Sequence, residues 1–342
     1  MGHLAIEASE DGIFVTATNL DVGVRMRMAG KMIESGGVVV PARIMGELVQ
    51  SLPLGSVELQ TLEDSGLLIK AQRTRAKLQL MKFEEFPLFP TQPTLIGEIS
   101  VGDLNVAYEQ IGFAVSTDES RPILTGFLWQ GEKGVAAATD GYRLSLSADK
   151  SVWGMAKGSP GPLIVPGKAM IQLLQAFEDF GCKNVRYGYS EKSNELMFVG
   201  DDIRGVVRVL SGEFPKFEGI LPGEASIEFH VNREQMLTAV KSVAIFARDS
   251  ANIMRFSIED GRIEFSANTA QVGENVVEVE ADFVRPGKGV IAFNSRYLVD
   301  FLSHSKSEKI GFGMTDSLKP GLFYEVGIES YKHVIMPVRV KA

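Results

Sequence analysis

A chain of 342 residues is too long for one ordinary domain and suits two or three of roughly 150 residues each. Its 45% hydrophobic and 23% charged residues exclude disorder and collagen, and no run reaches the roughly 18 apolar residues of a membrane-spanning helix. The single Cys182 and four scattered histidines (His3, His230, His304, His333) exclude a disulfide framework and give no metal-ligand spacing, while a net charge of -8 argues against a basic exterior that coats nucleic acid, though 35 Lys and Arg leave room for a local basic face.

The first 11 residues meet acidic side chains before any signal-like apolar core, which predicts a cytoplasmic protein. The turn signal Glu10-Asp11-Gly12 leads into strand-like Ile13 to Thr18. After Val40-Pro41-Ala42-Arg43, Ile44, Leu48 and Leu52 mark one face of a helix. A proline-bearing segment, Phe86-Pro87 with Pro90, reads as a linker. Beyond Ile99, a helix is predicted from Leu104, Tyr108 and Ile111 at i, i+4 and i+7, followed by the turn Glu132-Lys133-Gly134 and the strand Val135 to Thr139. Val165-Pro166-Gly167-Lys168 opens another helix with Met170, Leu174 and Phe177 inward. A second linker contains Phe214-Pro215 and Pro222. From Ile227 the pattern returns: a helix with Met236, Val240 and Val243 inward, the turn Glu259-Asp260-Gly261, strands over 255–258, 262–267 and 275–283, then Phe293-Asn294-Ser295-Arg296 opening a last helix, and Met336-Pro337 near the end.

These landmarks recur about 125 residues apart in three registers, so the chain is a threefold repeat. Expected domains are 1–92, 93–222 and 223–342, of class α+β with antiparallel sheet. Repeats two and three carry about 35 residues of strand and helix ahead of their turn, whereas the first carries only 11. Either the first domain lacks its opening strand and helix, or the chain begins late relative to the repeat.

No catalytic constellation emerges. Gly161 and Gly167-Lys168 imitate a phosphate loop, but the spacing is one residue too long and Ala169 replaces the magnesium-holding hydroxyl. Asp140-Gly141-Tyr142-Arg143 is more simply a turn whose Asp caps local amides than an active-site loop. Cys182, with no evident partner, reads as a passive thiol. No cofactor or metal is expected. Cations do recur: Arg43, Lys168 and Arg296 hold one slot at the start of the second helix in all three repeats, and Arg233, Lys241 and Arg248 add a basic series to the first helix of repeat three. Singly each suits a solvated helix position; three equivalent ones suit phosphates contacted without sequence preference.

Over nearly its whole length the chain resembles the bacterial sliding clamps, the beta subunits of DNA polymerase III. The residues concerned are Ala17-Thr18-Asn19-Leu20-Asp21-Val22-Gly23-Val24, Arg121-Pro122-Ile123-Leu124-Thr125-Gly126, Ala138-Thr139-Asp140-Gly141-Tyr142-Arg143-Leu144, and the ending Val334-Ile335-Met336-Pro337-Val338-Arg339-Val340. The resemblance implies three domains of one fold, antiparallel outer sheets, helices lining a central channel, and a head-to-tail homodimer closed around duplex DNA. It implies a non-catalytic processivity factor, cytoplasmic and nucleoid-associated, that tethers DNA polymerase and is opened by a clamp loader. The alternative is a clamp-like chain impaired in ring closure, acting as a competitor of a full-length clamp.

The resemblance also carries site expectations. A pocket for short clamp-binding motifs is expected from Leu124, Thr139, Gly141, Arg143, Leu144, Pro215 and Ile220 with Asn294, Tyr297, Leu318, Val334, Met336, Pro337, Val338 and Arg339. A dimer seam is expected between Arg73, Arg75 and Leu78 of one copy and Ile245, Phe246 and Glu274 of the other. Departures from the family pattern fall at Gly219, Ala251 and Pro320, and Lys341 and Ala342 run past its usual end.

Overall fold

The computed structural model describes residues 2–62, 66–155, 160–259, 261–269 and 273–339, so Val340, Lys341 and Ala342 lie outside the described residues. Its elements fall into three series. The first comprises β1 (His3–Ser9), β2 (Gly12–Thr18), β3 (Val22–Met28), β4 (Gly36–Pro41), α1 (Ala42–Ser51), β5 (Glu58–Leu62), β6 (Gly66–Ala71) and β7 (Thr74–Gln79). The second comprises β8 (Leu95–Ser100), α2 (Val101–Gly112), β9 (Gly126–Gln130), β10 (Val135–Thr139), β11 (Arg143–Ser147), α3 (Lys150–Trp153), β12 (Leu163–Pro166), α4 (Gly167–Asp179), β13 (Asn184–Ser190), β14 (Glu195–Val199) and β15 (Ile203–Arg208). The third comprises β16 (Ile227–Asn232), α5 (Arg233–Ala247), β17 (Ile253–Glu259), β18 (Arg262–Thr269), β19 (Gly273–Glu280), β20 (Asp282–Arg285), β21 (Gly289–Asn294), α6 (Ser295–His304), β22 (Lys309–Met314), β23 (Gly321–Glu325) and β24 (Tyr331–Ile335).

Four strands, a helix and three strands recur in all three series, with α3 inserted in the second and β20 added in the third. Series two and three precede them with a strand and a helix, β8–α2 and β16–α5, that have no counterpart among the described residues of the first. The turn signals have a backbone cause. Gly12, Gly134 and Gly261 all take positive φ (132°, 66° and 82°), a conformation that strains a residue with a Cβ.

The chain packs as two compact units, residues 1–102 with 168–209, and residues 103–167 with 210–342. The first holds an antiparallel eight-stranded sheet, β4-β1-β2-β3-β15-β14-β13-β8, and a three-stranded sheet, β5-β6-β7. Strand β3 of series one pairs with β15 of series two, Gly23 opposite Val206, so this sheet is continuous across the series boundary. Ile6, Val38, Val40, Met45, Leu67 and Ile69 form one buried cluster of this unit, and Met197, Val199 and Val206 another.

The second unit holds a nine-stranded sheet, β12-β9-β10-β11-β24-β23-β22-β16-β20, and a four-stranded sheet, β19-β18-β17-β21. Here β11 of series two pairs with β24 of series three, the same joint as β3–β15. Phe229, Phe256, Phe265, Phe293, Phe312 and Phe323 are all fully buried. Their rings meet edge-on or tilted, as at 4.7 Å between Phe256 and Phe265 and 4.9 Å between Phe312 and Phe323. Each contributes about 1.5–3 kcal/mol of burial.

Asn232 caps α5 by accepting from the Gln235 amide, and Asn294 caps α6 by accepting from the Arg296 amide. Met236, Val240 and Val243 are buried as the spacing predicted, and so are Leu104, Tyr108, Ile111, Met170, Leu174 and Phe177. Helix α1 differs. Pro41 precedes it without a side-chain cap, only Met45 is buried, Leu48 and Leu52 are half-buried, and Ile44, expected inward, is 43% exposed. The single strand expected over 275–283 is two: β19 pairs with β18, and after Ala281 the chain changes sheets so that β20 pairs with β16.

Candidate partner-peptide pocket and cation positions

The pocket lies in the second unit, where β11 and β24 run side by side with Arg143 opposite Ile335 and Leu144 opposite Val334. The turn between β10 and β11 is built by side-chain caps. Thr139 Oγ1 donates to the Arg143 carbonyl (2.6 Å) and accepts from the Gly141 amide (3.0 Å). The Asp140 carboxylate accepts from the amides of Tyr142 (2.9 Å) and Arg143 (3.1 Å). Gly141 has φ of 95°, so this turn too needs a residue without a Cβ. Arg121 fastens its back by donating to the Asp140 carbonyl (3.1 Å).

Arg143 holds the wall. Its side chain is 9% exposed and pairs with Asp140 (3.1 Å) and Asp300 (2.6 Å), while Nη2 donates to the Phe113 carbonyl (2.6 Å). The guanidinium lies 4.7 Å from the ring of Tyr297 and 5.4 Å from that of Phe113. Every charge it buries is thus answered. Burial raises the Tyr297 hydroxyl's pKa, with the Asp140 carboxylate adding to the rise and Arg143 opposing it. Behind the strands, His333 is fully buried; burial, then repulsion by Arg143, lower its pKa well below 6.5. Its Nδ1 lies 2.7 Å from Ser145 Oγ and its Nε2 has no hydrogen-bond partner.

The result is a cavity of about 80 Å³ lined by Leu124, Thr139, Gly141, Tyr142, Arg143, Leu144, Pro215, Phe217, Ile220, Val334 and Met336. Nine of the expected residues meet there. Sequence reasoning missed Tyr142 and Phe217; the first sits inside the quoted motif, and the second beside Phe214-Pro215, but only packing brings its ring against the cluster containing Leu144 and Val334. Six expected residues do not line it. Asn294 caps α6, Tyr297 lies under Arg143, and Val338 donates its amide to the Ala292 carbonyl (2.8 Å). Leu318 stands 65% exposed, Pro337 is half-buried and Arg339 exposed. Met336 is anchored by its amide to the Tyr142 carbonyl (2.8 Å).

A larger cavity, about 540 Å³, opens in the first unit around Cys182 with Glu98, Lys183, Arg186, Asp201 and Asp202 on its rim. Burial raises the Cys182 thiol's pKa, so it is no poised nucleophile. No group of three or more His, Cys, Asp or Glu side chains suited to a metal exists among the described residues.

Of the recurring cations, Arg43, Lys168 and Arg296 are each the second residue of α1, α4 and α6 and are exposed, as are Lys241 and Arg248. Arg43 also pairs with Glu47 one helical turn on (2.8 Å). Arg233 corrects the expectation. Its side chain is 21% exposed, Nε is buried, and Nη1 donates to the Leu302 carbonyl (3.3 Å), so it helps close the C-terminal end of α6 instead of standing free for a phosphate. Along the expected seam, Arg73, Arg75, Ile245 and Glu274 are exposed, whereas Leu78 is half-buried and Phe246 packs partly against the core of the third series.

Three family models match in succession: the N-terminal domain of the DNA polymerase III beta subunit over residues 1–90, the central domain over 98–216 and the C-terminal domain over 218–339. The beta sliding clamp of Chlamydia pneumoniae is 31% identical over 342 residues, covering 99% of this chain and 91% of the relative. That of Staphylococcus aureus (strain Mu50) is 26% identical over 98% of this chain and 91% of its own. Among solved structures, the DNA polymerase III beta subunit of Thermotoga maritima superposes with a TM-score of 0.90 at 25% identity, over 99% of this chain and 92% of the other. With three consecutive domain models matched and a relative of this identity spanned almost end to end, the chain belongs to the DNA polymerase III beta subunit family, the beta sliding clamps.

Proposed function

We propose that this protein closes head to tail with a second copy into a ring around duplex DNA and tethers DNA polymerase to it as a non-catalytic processivity subunit. One observation carries the dimer: the repeated strand joint. The third strand of series one pairs with the last strand of series two, and the third strand of series two with the last of series three. A third such joint requires β19 and β7, and each is the terminal strand of its sheet. Their charges are opposite, with Arg73, Arg75 and Lys77 at β7 and Glu274, Glu278 and Glu280 on β19. A heterologous contact of this kind closes when two copies complete the rotation. The competitor reading is less favoured because both edges needed for closure are formed.

Enclosure retains DNA without tight binding, which suits a net charge of -8 combined with exposed cations at Arg43, Lys168, Lys241, Arg248 and Arg296. In the pocket, Leu144, Val334, Phe217 and Met336 supply an apolar floor for the leucine or aromatic end of a clamp-binding motif in polymerases and the clamp loader. A cytoplasmic, nucleoid-associated site of action follows from this reading; no described helix is long and apolar enough to cross a membrane.

The test is sedimentation together with retention on circular duplex DNA. Ile245, 56% exposed, is a cleaner seam position than the partly packed Phe246. Ile245→Asp is expected to yield folded monomers that no longer stay on circular DNA. An undiminished dimer would remove this seam from the proposal.

A further inference from the structure

Among the described residues that line the cavity of about 80 Å³ in the second unit, Met336 alone carries sulfur. It is 37% exposed, whereas Leu124, Leu144, Phe217 and Val334 on the same wall are buried. Its backbone is fastened on both sides of Pro337. The Met336 amide donates to the Tyr142 carbonyl (2.8 Å) and the Val338 amide to the Ala292 carbonyl (2.8 Å), so the thioether stays at the mouth of the cavity, within reach of a solute. The wall has little to offer a new hydrogen-bond acceptor. Thr139 Oγ1 already donates to the Arg143 carbonyl, and the Arg143 guanidinium is taken up by Asp140, Asp300 and the Phe113 carbonyl. Among the described lining side chains, that leaves the hydroxyl of the exposed rim residue Tyr142 as the donor not engaged.

We propose that Met336 is a modification site that makes the pocket redox-sensitive: a peroxide converts it to methionine sulfoxide, and the oxidised pocket releases its peptide. This rests on the pocket reading above and supplies its regulation. In the step, the sulfur lone pair attacks the peroxide and the O–O bond breaks. One oxygen becomes the sulfoxide oxygen, the other leaves as water or alcohol, and the sulfur is oxidised by two electrons as the peroxide is reduced. An apolar, adaptable side chain thereby becomes a polar one. In the empty pocket the new oxygen is solvated. A bound leucine or aromatic side chain would cover it against walls whose donors are committed, so the penalty falls on binding and not on the fold. Reduction of the sulfoxide by a thiol-dependent reductase reverses the change. Cys182 lies in the first unit, lined by a different cavity, and burial raises its thiol pKa, which keeps the reactive thiolate scarce.

The experiment treats the full chain with hydrogen peroxide, locates sulfoxides by mass spectrometry, and titrates a fluorescent peptide ending in Leu-Phe before and after. Expected are a sulfoxide at Met336, an affinity loss of at least about tenfold with unchanged circular dichroism, and recovery after treatment with methionine sulfoxide reductases of both epimer specificities. Met28, Met32 and Met81 are also exposed and belong to the first unit; a variant with all three changed to Leu is expected to respond to peroxide as fully as the parent. In Met336→Leu, whatever its own affinity, peroxide is expected to change that affinity no further. Should the untreated chain fail to bind the peptide, the pocket reading falls and this inference with it. Should the untreated chain bind, three results would overturn the redox inference alone: equal affinity with Met336 fully converted, resistance of Met336 to oxidation while Met28, Met32 and Met81 react, or an undiminished peroxide response in Met336→Leu.

Discussion

At the scale of single residues, Arg143 does two jobs, holding the pocket turn through Asp140 and joining β11 to α6 through Asp300. Arg143→Ala removes the guanidinium donor from Asp140 Oδ2, Asp300 and the Phe113 carbonyl; a loss of about 2–3 kcal/mol in urea unfolding is expected, together with loss of motif-peptide binding. His333 makes stability depend on pH. It is held neutral in the fold and its pKa lies well below 6.5. The unfolded chain therefore takes up a proton near pH 6.5 that the folded chain refuses, and stability falls as pH drops below that value, by up to about 1.4 kcal/mol per pH unit from this group. His333→Phe, which keeps the stacking on Phe301 (5.0 Å), is expected to flatten that slope between pH 6.5 and 5 in denaturant melts. An unchanged slope would place its origin elsewhere.

Among the elements, α5 and α6, which open on asparagine, differ from α1, which opens on Pro41. Asn294→Ala removes the cap of α6 and is expected to cost about 1 kcal/mol, measured as a lower urea midpoint at constant m value. In α1, which has neither side-chain cap nor acidic first turn, exchange of the helical amides should be faster than in α5 or α6. The C-terminal segment holds to the second unit through the amides of Met336 and Val338. Among the described residues, removing 336–342 costs those two bonds while the buried β24 remains. Peptide and polymerase binding should vanish with dimer and DNA retention intact; a truncated chain that unfolds would make the segment a structural seal, and one that still binds would remove it from the pocket.

For the whole molecule, electrostatics and topology divide the work. If Arg43, Lys168, Lys241 and Arg296 touch phosphates, their joint replacement by Glu should weaken retention on DNA and flatten its salt dependence by about 0.9 in slope for each phosphate no longer neutralised. Arg233 is left out because it serves α6. An unaltered salt slope in the folded variant would show that these exposed cations do not meet DNA.

The sequence alone determined the threefold repeat and the inward faces of α2, α4 and α5, because these depend on local periodicity and on glycines at the turns, which a linear chain displays directly. It also placed nine pocket residues through the family motif. Tertiary structure decided what periodicity cannot carry. Ile44 sits at a core-like spacing but is exposed because, among the described residues, no second helix packs on α1, and the run over 275–283 changes sheets at Ala281 because the edge of β16 offers it unpaired backbone groups. Arg233 matched a basic series in one dimension, yet its guanidinium folds back onto the Leu302 carbonyl. Whether a cation faces solvent or satisfies a buried helix end is set by what packs beside it, and that neighbour, here 69 residues away in sequence, is known only once the chain has folded.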